Sequence, residues 1–443
     1  MSEQVASMSH QELLDRIEAK TVKIGVVGLG YVGLPLAEVF CRAGLQVTGF
    51  DVDPKKAESV LAGKTYIEDL SDEQIKAQVD SGRLHATTDF DGLAEMDAIL
   101  ICVPTPLRKT LDPDISYVVA VAKEIGKRLR PGQLIVLEST TYPGTTDEVV
   151  KPLLEESGHR VGEEIYLAFS PERVDPSNPT YKTENTPKVV GGATDACCRA
   201  AEALYSAAIP QVHVVTSCRA AEMVKLLENT FRMINIGLVN EIAQMCEKLE
   251  LDVWEVVDAA ATKPFGFMPF YPGPGLGGHC IPIDPHYLSW KLKSLNFFAR
   301  FIELASEINR GMPAYVVGKV AQLLNGESKA IRGSKILVVG VAYKSNTSDT
   351  RESPAIDVMK LLAEQGAVLS YHDRFVDKMM LDGVEYRGLP LDGPTVDSHD
   401  LVLILTNHPD VDYQVLADRN ALVFDTRNAT RDLAKGSDRI IKL

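Results

Sequence analysis

The sequence predicts an α/β protein in which two doubly wound, Rossmann-like domains are joined by a long central helix and a helical linker domain. Three observations support this prediction. Strands and helices alternate from residue 22 to about residue 210, the alternation returns after residue 335, and a proline-free helical pattern fills 217–249 between them. The 443 residues exceed one ordinary domain, since a domain commonly holds roughly 150 residues.

The composition is that of an ordinary globular chain, and it argues against some partners. Apolar residues make up 45% of the chain and charged residues 24%. The formal net charge of -15 argues against nucleic acid or an anionic membrane as the main partner, because both repel a negative surface. No apolar run approaches the roughly 20 residues that span a bilayer, and the polar start lacks a secretory signal, so a cytoplasmic location is expected.

The seven cysteines indicate neither a disulfide framework nor a metal site. Their number is odd, and the sequence has no CxxC or Cys/His spacing typical of zinc ligands. In a reducing compartment we expect seven thiols, most of which fill the core. Cys102, inside the apolar run AILICV, is an example.

A glycine-rich turn follows the first buried strand, VKIGVVG at 22–28. Gly28, Gly30 and Gly33 have GxGxxG spacing and lead into the helical stretch LPLAEVFCRAG. The first glycine permits the tight turn, the second lets the backbone approach a pyrophosphate, and the third lets the helix pack closely on the strand. A turn without a ligand is the alternative, but the strand–turn–helix–strand context favours a dinucleotide site.

Asp51 ends the second strand, QVTGFD, about 20 positions after the glycines. Its carboxylate can accept hydrogen bonds from the hydroxyls of the adenosine ribose and would repel a 2′-phosphate, so the sequence favours NAD over NADP. Thr105 and Thr140 lie in loops after the later strands 98–103 and 133–139. Because ligands bind beyond the carboxyl ends of parallel strands, we expect both loops to line the cofactor crevice.

The central helical pattern places two polar residues on one face, since Lys225 and Asn229 are four positions apart. They could belong to a solvated polar stripe, as most such pairs do. Alternatively, they could present a cation and an amide to a developing negative charge. Taken alone, the pair favours the solvated stripe.

The segment 273–284, GPGLGGHCIPID, is too rich in glycine and proline for a regular helix or strand. Backbone amides without side chains can hold phosphate groups. Cys280 stands at the end of this loop, and Asp284 follows about one turn later if a helix begins there. An isolated cysteine is more often an inert buried thiol. This loop context favours instead a nucleophile with a carboxylate nearby to take protons.

A second α/β lobe, without a GxGxxG motif, begins with the strand 335–343. Lys344, Arg351 and Arg427 follow the ends of its strands, where ligands bind in open sheets. A surface role is the alternative for each of these cations. Three cations at equivalent edges of one sheet nevertheless favour an anion site.

Taken together, six collinear motifs resemble the UDP-glucose/GDP-mannose dehydrogenase family over nearly the whole chain after residue 20. The motifs are GLGYVG (28–33), STTYPGT (139–145), SPER (170–173), EMVKLLEN (222–229), PGLGGHCIPID (274–284) and the lysine-to-DTRES run (344–353). The variants LESTTYPGTT and PFGFMPFYPGPGLGGHCIPIDP are most similar to the branch that oxidises UDP-N-acetylglucosamine at C6.

The resemblance implies three domains and a reaction. The domains are an NAD-binding Rossmann domain at 1–210, a central helical dimerisation domain with the catalytic cysteine loop at 211–325, and a UDP-sugar-binding Rossmann-like domain at 326–443. The implied cofactor is NAD, and the implied substrate is UDP-N-acetyl-D-glucosamine, oxidised at C6 from alcohol to aldehyde to acid. The product, UDP-N-acetyl-D-glucosaminuronate, would form through a thiohemiacetal and a thioester on Cys280.

The resemblance also implies catalytic roles for five further residues. Lys225 and Asn229 would stabilise the alkoxide or oxyanion. Asp284, with a water held near Thr140, would act as general base for the oxidation of the alcohol. Glu172 would support proton transfer and hydrolysis of the thioester.

The resemblance also implies one set of cofactor-binding residues and one set of substrate-binding residues, and it implies no metal site. The implied cofactor-binding residues are Gly28, Gly30, Tyr31, Val32, Gly33, Asp51, Thr105, Thr140 and Arg351. The implied substrate-binding residues are Glu172, Lys225, Asn229, Tyr271, Gly273, Gly275, Gly277, Lys344 and Arg427. Within the second set, the loop from Tyr271 to Gly277 would wrap the diphosphate, assisted by Lys344 and Arg427.

Two positions depart from the UDP-glucose branch of the family. Ile283 stands where that branch has a lysine before the aspartate of the cysteine loop. Pro176 stands where it has a second acid, with Asp175 one position earlier. Both departures fall near the reacting sugar, which fits a different hexose. Lys263 is the nearest basic residue to an arginine that a neighbouring subunit supplies in that branch.

Several other functions remain open on the sequence. UDP-N-acetylmannosamine or UDP-glucose 6-dehydrogenases would use the same mechanism, and the sequence does not separate the epimers. A two-electron hydroxyacid dehydrogenase shares the Rossmann domain, the long helix and a catalytic lysine, but the cysteine loop and the second lobe disfavour it. A nucleotide-sugar sensor without turnover is disfavoured by the joint presence of Cys280, Lys225, Asn229, Glu172 and Asp284.

The central helix carries apolar residues on more than one face, which predicts a homodimer or a higher homo-oligomer because a shared interface would bury them. Sedimentation velocity over a range of protein concentrations should show a species larger than the monomer. A monomer at every concentration would contradict this prediction.

Overall fold

The structure is a computed structural model that describes residues 8–67, 69–108, 112–175, 178, 180–278, 280–417, 419, 421–433 and 438–443. Pro176, which departs from the family pattern, lies outside these residues. The chain divides into two compact units. The first is Met1–Glu228 with His286–Phe297, and the second is Asn229–Pro285 with Phe298–Leu443.

The first unit is built on an eight-stranded sheet. Its elements in chain order are α1 (His10–Glu18), β1 (Lys23–Val27), α2 (Gly33–Arg42), β2 (Gln46–Phe50), α3 (Pro54–Leu61), α4 (Asp72–Asp80), β3 (Leu84–Thr87), β4 (Ala98–Ile101), α5 (Ser116–Gly126), β5 (Leu134–Leu137), α6 (Lys151–Glu155), β6 (Tyr166–Phe169), β7 (Lys188–Gly192), α7 (Asp195–Ser206) and β8 (Val212–Val215). The strand order is β3-β2-β1-β4-β5-β6-β7-β8. All neighbouring strands pair in parallel except β6 and β7. The change of direction at β1 is the doubly wound arrangement, as predicted.

The middle strands of this sheet are buried because each is a short apolar run. β4, β5 and β6 read AILI, LIVL and YLAF and are buried at every position. Sheets with helices on both faces favour such continuous apolar strands. Each large apolar side chain that is fully buried contributes roughly 1.5–3 kcal/mol to folding. This core fixes the carboxyl ends of the strands, and with them the polar loops that follow.

Four helices occupy the middle of the chain: α8 (Cys218–Lys248), α9 (Val253–Ala261), α10 (Asp284–Lys293) and α11 (Arg300–Gly326). The bounds of α8 confirm the long helix predicted over 217–249. Asp284 is the first residue of α10, so a helix does begin there. In the described parts of the chain, no helix has the length and apolar character that crossing a membrane requires.

One face of α8 in the second unit presents exposed apolar side chains. Phe231, Leu238, Met245 and Leu249 are each between 45% and 67% exposed. The first three are separated by seven residues each, so they lie along one stripe of the helix, and Leu249 follows directly after its end, four positions beyond Met245. An exposed apolar stripe of this kind is typical of a surface that another chain covers.

Amide contacts and a proline join α8, α11 and the glycine-rich loop within the second unit. Asn240 Nδ2 donates to Asn309 Oδ1 at 2.9 Å, and Asn309 Nδ2 donates to the Met233 carbonyl at 3.2 Å. Pro313, buried inside α11, has no N–H to offer the Asn309 carbonyl one turn earlier. That carbonyl oxygen instead lies 3.4 Å from the position a β-carbon on Gly275 would take.

The second unit also contains a smaller α/β lobe. Its elements are β9 (Lys335–Val339), α12 (Pro354–Glu364), β10 (Val368–His372), β11 (Lys378–Leu381), β12 (Val384–Arg387), α13 (Gly393–Asp397), β13 (Leu401–Ile404), α14 (Gln414–Ala417), β14 (Val423–Asp425) and β15 (Ile440–Lys442). The five parallel strands have the order β10-β9-β13-β14-β15, and β11 and β12 form a separate hairpin. The order again reverses at the first strand of the lobe, as in a Rossmann-like domain, which confirms the predicted second lobe.

Candidate active site

The turn between β1 and α2 has space for glycine alone at two of its three glycine positions. Gly28 has φ +98°, and a β-carbon there would lie 2.5 Å from the carbonyl oxygen of Cys102. A β-carbon on Gly33 would lie 1.9 Å from the carbonyl oxygen of Gly28. A β-carbon on Gly30 would meet no atom of the described residues within 4 Å, apart from its own chain neighbours, so this backbone faces open space. The turn therefore fits the pyrophosphate of a dinucleotide, which needs close approach to bare backbone at the start of a helix.

Asp51 locks this turn to the end of β2. Its Oδ2 accepts hydrogen bonds from Leu29 N at 2.9 Å and Lys56 Nζ at 3.0 Å, and its Oδ1 accepts one from Asp53 N at 3.0 Å. The Lys56 side chain is 36% exposed and can move away, whereas the two backbone donors are fixed. Displacement of Lys56 would leave an acceptor site on Asp51 for a ribose hydroxyl. Beside the turn, Tyr31 is 53% exposed. The half-buried Val32 stands directly before α2.

The two threonine loops of the first unit are held by contacts that sequence reasoning did not predict. The carbonyl of Thr105 accepts a hydrogen bond from the buried Tyr287 hydroxyl at 2.6 Å. The loop that contains Thr140 is held by Glu222, which accepts from Gly144 N at 2.6 Å. Glu222 also accepts from Thr146 N and Oγ1, at 2.9 and 2.7 Å.

Glu222 joins this loop to the central helix, because it lies on α8 one turn before Lys225. Burial raises the pKa of Glu222 to about 7, while its hydrogen bonds act to lower it. The sequence contained a signal for this contact: a carboxylate on the same helix as Lys225, within the EMVKLLEN motif. Its partner could not be predicted, because it is a backbone segment about 80 residues earlier with no charge of its own.

Glu172 follows β6 and is held mainly by backbone groups and lysines. Its Oε1 accepts hydrogen bonds from Arg173 N at 2.7 Å and Val174 N at 2.9 Å. Burial acts to raise the pKa of Glu172, but Lys188, the two backbone donors and Lys225 together hold it below the ordinary value. Lys225 itself is 8% exposed. The electrostatic field of Lys225 therefore reaches Glu172, as a shared site would require.

In the second unit, Asn229 and Asp284 are in direct contact, and Cys280 lies one helical turn before Asp284. Asn229 Nδ2 donates to Asp284 Oδ2 at 2.5 Å, and both side chains are buried. Asp284 N donates to the carbonyl of Cys280 at 2.8 Å, which is the spacing of one helical turn. Cys280 is exposed, whereas the other six cysteines, which also lie in described parts of the chain, are buried or half-buried. A reactive thiol needs such access, while a structural one does not.

The glycine-rich loop packs closely against Arg427 and the start of α12. A β-carbon on Gly273 would lie 2.2 Å from Arg427 Nη1, and Gly273 N donates to Asn240 Oδ1 at 2.9 Å. A β-carbon on Gly277 would lie 2.7 Å from Pro354 Cδ, and Gly275 has φ +142°. The structure thus brings the loop and Arg427 together. Burial lowers the pKa of Arg427, with Asp425 acting against that shift, so the guanidinium is a desolvated cation that an anion would stabilise.

Other predicted residues of the second unit are engaged by neighbours. Lys344 Nζ lies 5.6 Å from the centre of the Tyr343 ring. The Tyr271 hydroxyl donates to Asp258 Oδ1 at 2.7 Å, and its ring stacks on Trp254. The remaining two are Arg351, which pairs with Asp349 at 2.8 Å, and Lys263, which lies over the Phe265 ring at 5.0 Å.

The second lobe repeats the carboxylate-locked turn of the first, although it has no GxGxxG motif. Gly340 has φ +83° and donates its N–H to the His372 carbonyl at 2.8 Å. Asp373 then accepts from Val341 N at 2.7 Å and from Phe375 N at 2.9 Å. The third partner differs, because here it is the buried His408, whose Nε2 lies 3.2 Å from Asp373 Oδ2.

His408 also fixes the loop that carries Lys344. Its Nδ1 accepts from Asn346 N at 3.2 Å, which requires the proton to be on Nε2 facing Asp373. Asp373 is thus enclosed by fixed partners, in contrast to Asp51 with its exposed lysine. Sequence reasoning missed this pair, although Asp373 directly follows the second strand of its lobe just as Asp51 does in the first.

Comparison with known protein families gives three matches in the order of the chain. The NAD binding domain of the UDP-glucose/GDP-mannose dehydrogenase family matches residues 22–209. The central domain of that family matches residues 219–311. The UDP binding domain matches residues 337–432.

Individual relatives cover nearly the whole chain. A UDP-N-acetyl-D-mannosamine dehydrogenase of Methanococcus maripaludis is 36% identical over 92% of this chain and 92% of its own. A UDP-N-acetyl-D-glucosamine 6-dehydrogenase of Pseudomonas aeruginosa is 33% identical over 88% of this chain and 91% of its own. Among solved structures, a UDP-D-ManNAc dehydrogenase of Pyrococcus horikoshii superposes with a TM-score of 0.86 at 31% identity, covering 95% of this chain and 99% of its own.

Two alanine substitutions should separate the folding and binding roles of the glycine turn. Gly33→Ala should lower Tm by several degrees, because its β-carbon would lie 1.9 Å from Gly28 O. Gly30→Ala should leave Tm unchanged, because its β-carbon would meet nothing within 4 Å in the part of the chain that the structure describes, yet weaken NAD binding at least about tenfold by blocking the pyrophosphate. Differential scanning fluorimetry and titration calorimetry with NAD measure the two effects. Wild-type NAD affinity in Gly30→Ala would contradict the placement of the pyrophosphate.

Proposed function

The chain belongs to the UDP-glucose/GDP-mannose dehydrogenase family, and from this premise we propose that it oxidises a UDP-N-acetylhexosamine at C6 to the uronate in two successive two-electron steps. It is an oxidoreductase of nucleotide sugars with NAD as its cofactor, since the NAD binding domain of the family is present. One arrangement carries the proposal. An exposed Cys280 stands one helical turn before a buried Asp284 that is bonded to Asn229, at the end of a glycine-rich loop.

In the first step we assign proton removal to Asp284 and charge stabilisation to Lys225 and Asn229. The carboxylate of Asp284 takes the C6 hydroxyl proton through a water held near Thr140. The Lys225 ammonium and the Asn229 amide stabilise the resulting alkoxide until the aldehyde forms. When bound, NAD supplies the two-electron acceptor for each of the two oxidations.

In the second step Cys280 adds to the aldehyde. Its thiolate forms a C–S bond to C6, and the carbonyl oxygen becomes an alkoxide that takes a proton to give the thiohemiacetal. Loss of that proton and of two electrons with the C6 hydrogen gives a thioester. Water then adds to the thioester carbonyl while Glu172 accepts one of its protons, and the C–S bond breaks to release the Cys280 thiolate and the carboxylic acid. The acid loses its remaining proton to solvent and becomes the carboxylate. The cysteine is needed because an aldehyde carbon can readily lose its hydrogen with two electrons only after a nucleophile has added to it and made it tetrahedral.

The diphosphate of the substrate would lie along the loop from Tyr271 to Gly277. Support comes from the half-buried, desolvated cation Arg427, which lies against Gly273, and from Lys344 on the loop held by His408. A desolvated guanidinium next to backbone without side chains suits the bidentate recognition of phosphate oxygens. The family match of the UDP binding domain over 337–432 supports the same assignment.

UDP-N-acetyl-D-glucosamine, oxidised to UDP-N-acetyl-D-glucosaminuronate, is the substrate that we propose first, on the motif variants of the cysteine loop. UDP-N-acetyl-D-mannosamine is the second candidate, because relatives of that activity reach 36% identity while the glucosamine enzyme reaches 33%. The two sugars differ only in configuration at C2, so a few side chains decide between them. UDP-glucose is a weaker alternative, since Ile283 replaces a lysine typical of that branch.

We also propose a domain organisation and an oligomeric state. The NAD-binding domain would span 1–210, the central dimerisation domain 211–325 and the UDP-sugar domain 326–443. The exposed apolar stripe on α8 supports a homodimer, because it lies on the central domain and would be buried by a second copy.

The yield of NADH per sugar tests the reaction and the substrate together. We expect two NADH per UDP-N-acetyl-D-glucosamine consumed, because both oxidations occur before release. The panel includes UDP-N-acetyl-D-mannosamine, UDP-glucose and UDP-galactose, with NADH followed by absorbance and the product by mass spectrometry. Two NADH on another sugar would correct the substrate. One NADH per sugar would contradict the covalent second step.

Cys280→Ser should lower the rate of uronate formation by several orders of magnitude, since a serine hydroxyl is a far poorer nucleophile than a thiolate at neutral pH. NAD binding should remain at the wild-type level, because Cys280 lies outside the glycine turn. Cys198→Ser is the matched control, since Cys198 is half-buried and has no proposed role. Uronate formation by Cys280→Ser at the wild-type rate would exclude the thioester path.

A further inference from the structure

Behind Glu172 the first unit contains a buried cluster of charged and polar groups. Lys188, on β7, is 4% exposed and its Nζ lies 2.7 Å from Glu138 Oε2 and 3.5 Å from Glu172 Oε2. The Tyr205 hydroxyl donates to the other oxygen of Glu138, and the Lys188 ammonium also lies 5.4 Å from the centre of the Tyr205 ring. Two carboxylates therefore share one ammonium inside the protein. No motif of the sequence marks this cluster.

The two oxygens of Glu172 have different surroundings. Oε1 is held by two backbone N–H donors, whereas Oε2 has no hydrogen-bond partner among the described residues and faces Lys188 across 3.5 Å. A buried carboxylate oxygen with an open lone pair is costly unless something uses it. A proton taken from water would occupy that lone pair.

Lys188 acts to lower the pKa of both Glu138 and Glu172, but the net shifts of the two carboxyl groups are opposite. Glu138 is almost inaccessible, and burial raises its pKa even though Lys188 acts to lower it. Glu172 is 16% exposed, and although burial acts to raise its pKa, Lys188 is the largest of the effects that bring it below the ordinary value. Paired acids whose environments drive their pKa values apart are typical of a site where one acid must stay ionised.

Resting on the proposed function, we propose that Lys188 is a positioning residue for thioester hydrolysis. Its ammonium keeps Glu172 ionised with Oε2 available for the proton of the attacking water, and Glu138 and Tyr205 hold Lys188 in place. When water attacks, its proton passes to Glu172 Oε2, its oxygen bonds to the thioester carbon, and the C–S bond breaks with the electron pair going to sulfur. The cluster then changes from one net negative charge to neutral, with the Lys188–Glu138 pair unchanged.

The charged and titratable groups that face Glu172 come from several elements of the first unit. They are Lys188 from β7, Glu138 directly after β5, Cys102 directly after β4 and Lys225 from α8. Arg173 next to it is directed elsewhere and pairs with Glu228 at 2.5 Å. Of these groups, Lys188 and Lys225 favour the ionised form of Glu172, and Lys188 is the one without a role in binding or catalysis.

The test measures the decay of the thioester on Cys280 as a function of pH. The enzyme is mixed with NAD and the UDP-N-acetylhexosamine that it turns over, and the acyl-enzyme is followed by intact-mass spectrometry after rapid quenching. In Lys188→Met, Glu172 loses its cation and protonates at higher pH. The acid limb of the pH–rate profile for hydrolysis should therefore move to higher pH by about one pH unit or more, and the thioester should accumulate at neutral pH. KM for the UDP-sugar should change little, and Lys188→Arg should keep most of the rate.

Glu138→Gln provides a second variant with the opposite expected sign. Removing the competing carboxylate leaves Lys188 to interact with Glu172 alone, so the acid limb should move to lower pH. A purely structural role would slow both variants without moving their limbs in opposite directions. This variant also preserves the test if Lys188→Met folds poorly, because glutamine keeps the shape of the side chain.

The chain offers a matched control in the second unit. Lys319 Nζ bonds to Glu247 Oε1 at 2.7 Å and Tyr315 donates to the other oxygen, which reproduces the same trio of residue types. These residues line a cavity of about 650 Å³ that contains none of the proposed catalytic residues. Lys319→Met should leave the pH profile of thioester hydrolysis unchanged.

The outcomes separate this inference from the function on which it rests. Opposite shifts in Lys188→Met and Glu138→Gln, with Lys319→Met unchanged, support it. Unmoved acid limbs in both variants, while the wild-type enzyme still forms and hydrolyses the thioester, overturn the role of Lys188 alone. A wild-type enzyme that forms no thioester overturns the proposed function as well.

Discussion

A carboxylate that locks a glycine turn to the end of a strand is the interaction on which both nucleotide lobes depend. Asp51 binds the amide of Leu29 in the first lobe, and Asp373 binds the amide of Val341 in the second. Each hydrogen bond fixes the backbone directly after the first strand of its lobe, where a ligand would bind. The other loops of each lobe follow the carboxyl ends of neighbouring strands in the same sheet, so the sheet sets their positions. The lobes differ in the side chain that pairs with the carboxylate. The partner is an exposed lysine in the first lobe and a buried histidine in the second. Of the two, it is therefore the first carboxylate that can exchange its side-chain partner for a ribose hydroxyl.

The fold could be predicted from the sequence because its signals are local. Apolar runs of four or five residues, a GxGxxG turn and a long proline-free stretch determine strands, turn and helix wherever they occur. The contact of Asn229 with Asp284 could not be predicted, because it joins one helix to the start of another 55 residues later. The contact between Lys188 and Glu138 could not be predicted from the sequence for the same reason. Their segments come together only through the strand order, in which β6 lies between β5 and β7.

Charge is distributed unevenly in relation to the negative ligands of the family. The chain carries a formal net charge of -15, yet Lys188, Lys225 and Arg427 are largely enclosed cations. Surface acids keep the protein apart from polyanions, whereas enclosed cations act over short distances where water does not screen them. An acidic protein can therefore serve small phosphorylated ligands without a basic surface.

The amide chain behind the glycine-rich loop has a further consequence. Gly273, Asn240 and Asn309 are joined by neutral amide hydrogen bonds, and Pro313 leaves a carbonyl facing Gly275. None of these groups gains or loses a proton, so this part of the support of the loop does not titrate. The amide frame behind the loop thus keeps a single protonation state, whereas the acids around Lys188, and Glu222 with its pKa of about 7, can take up protons.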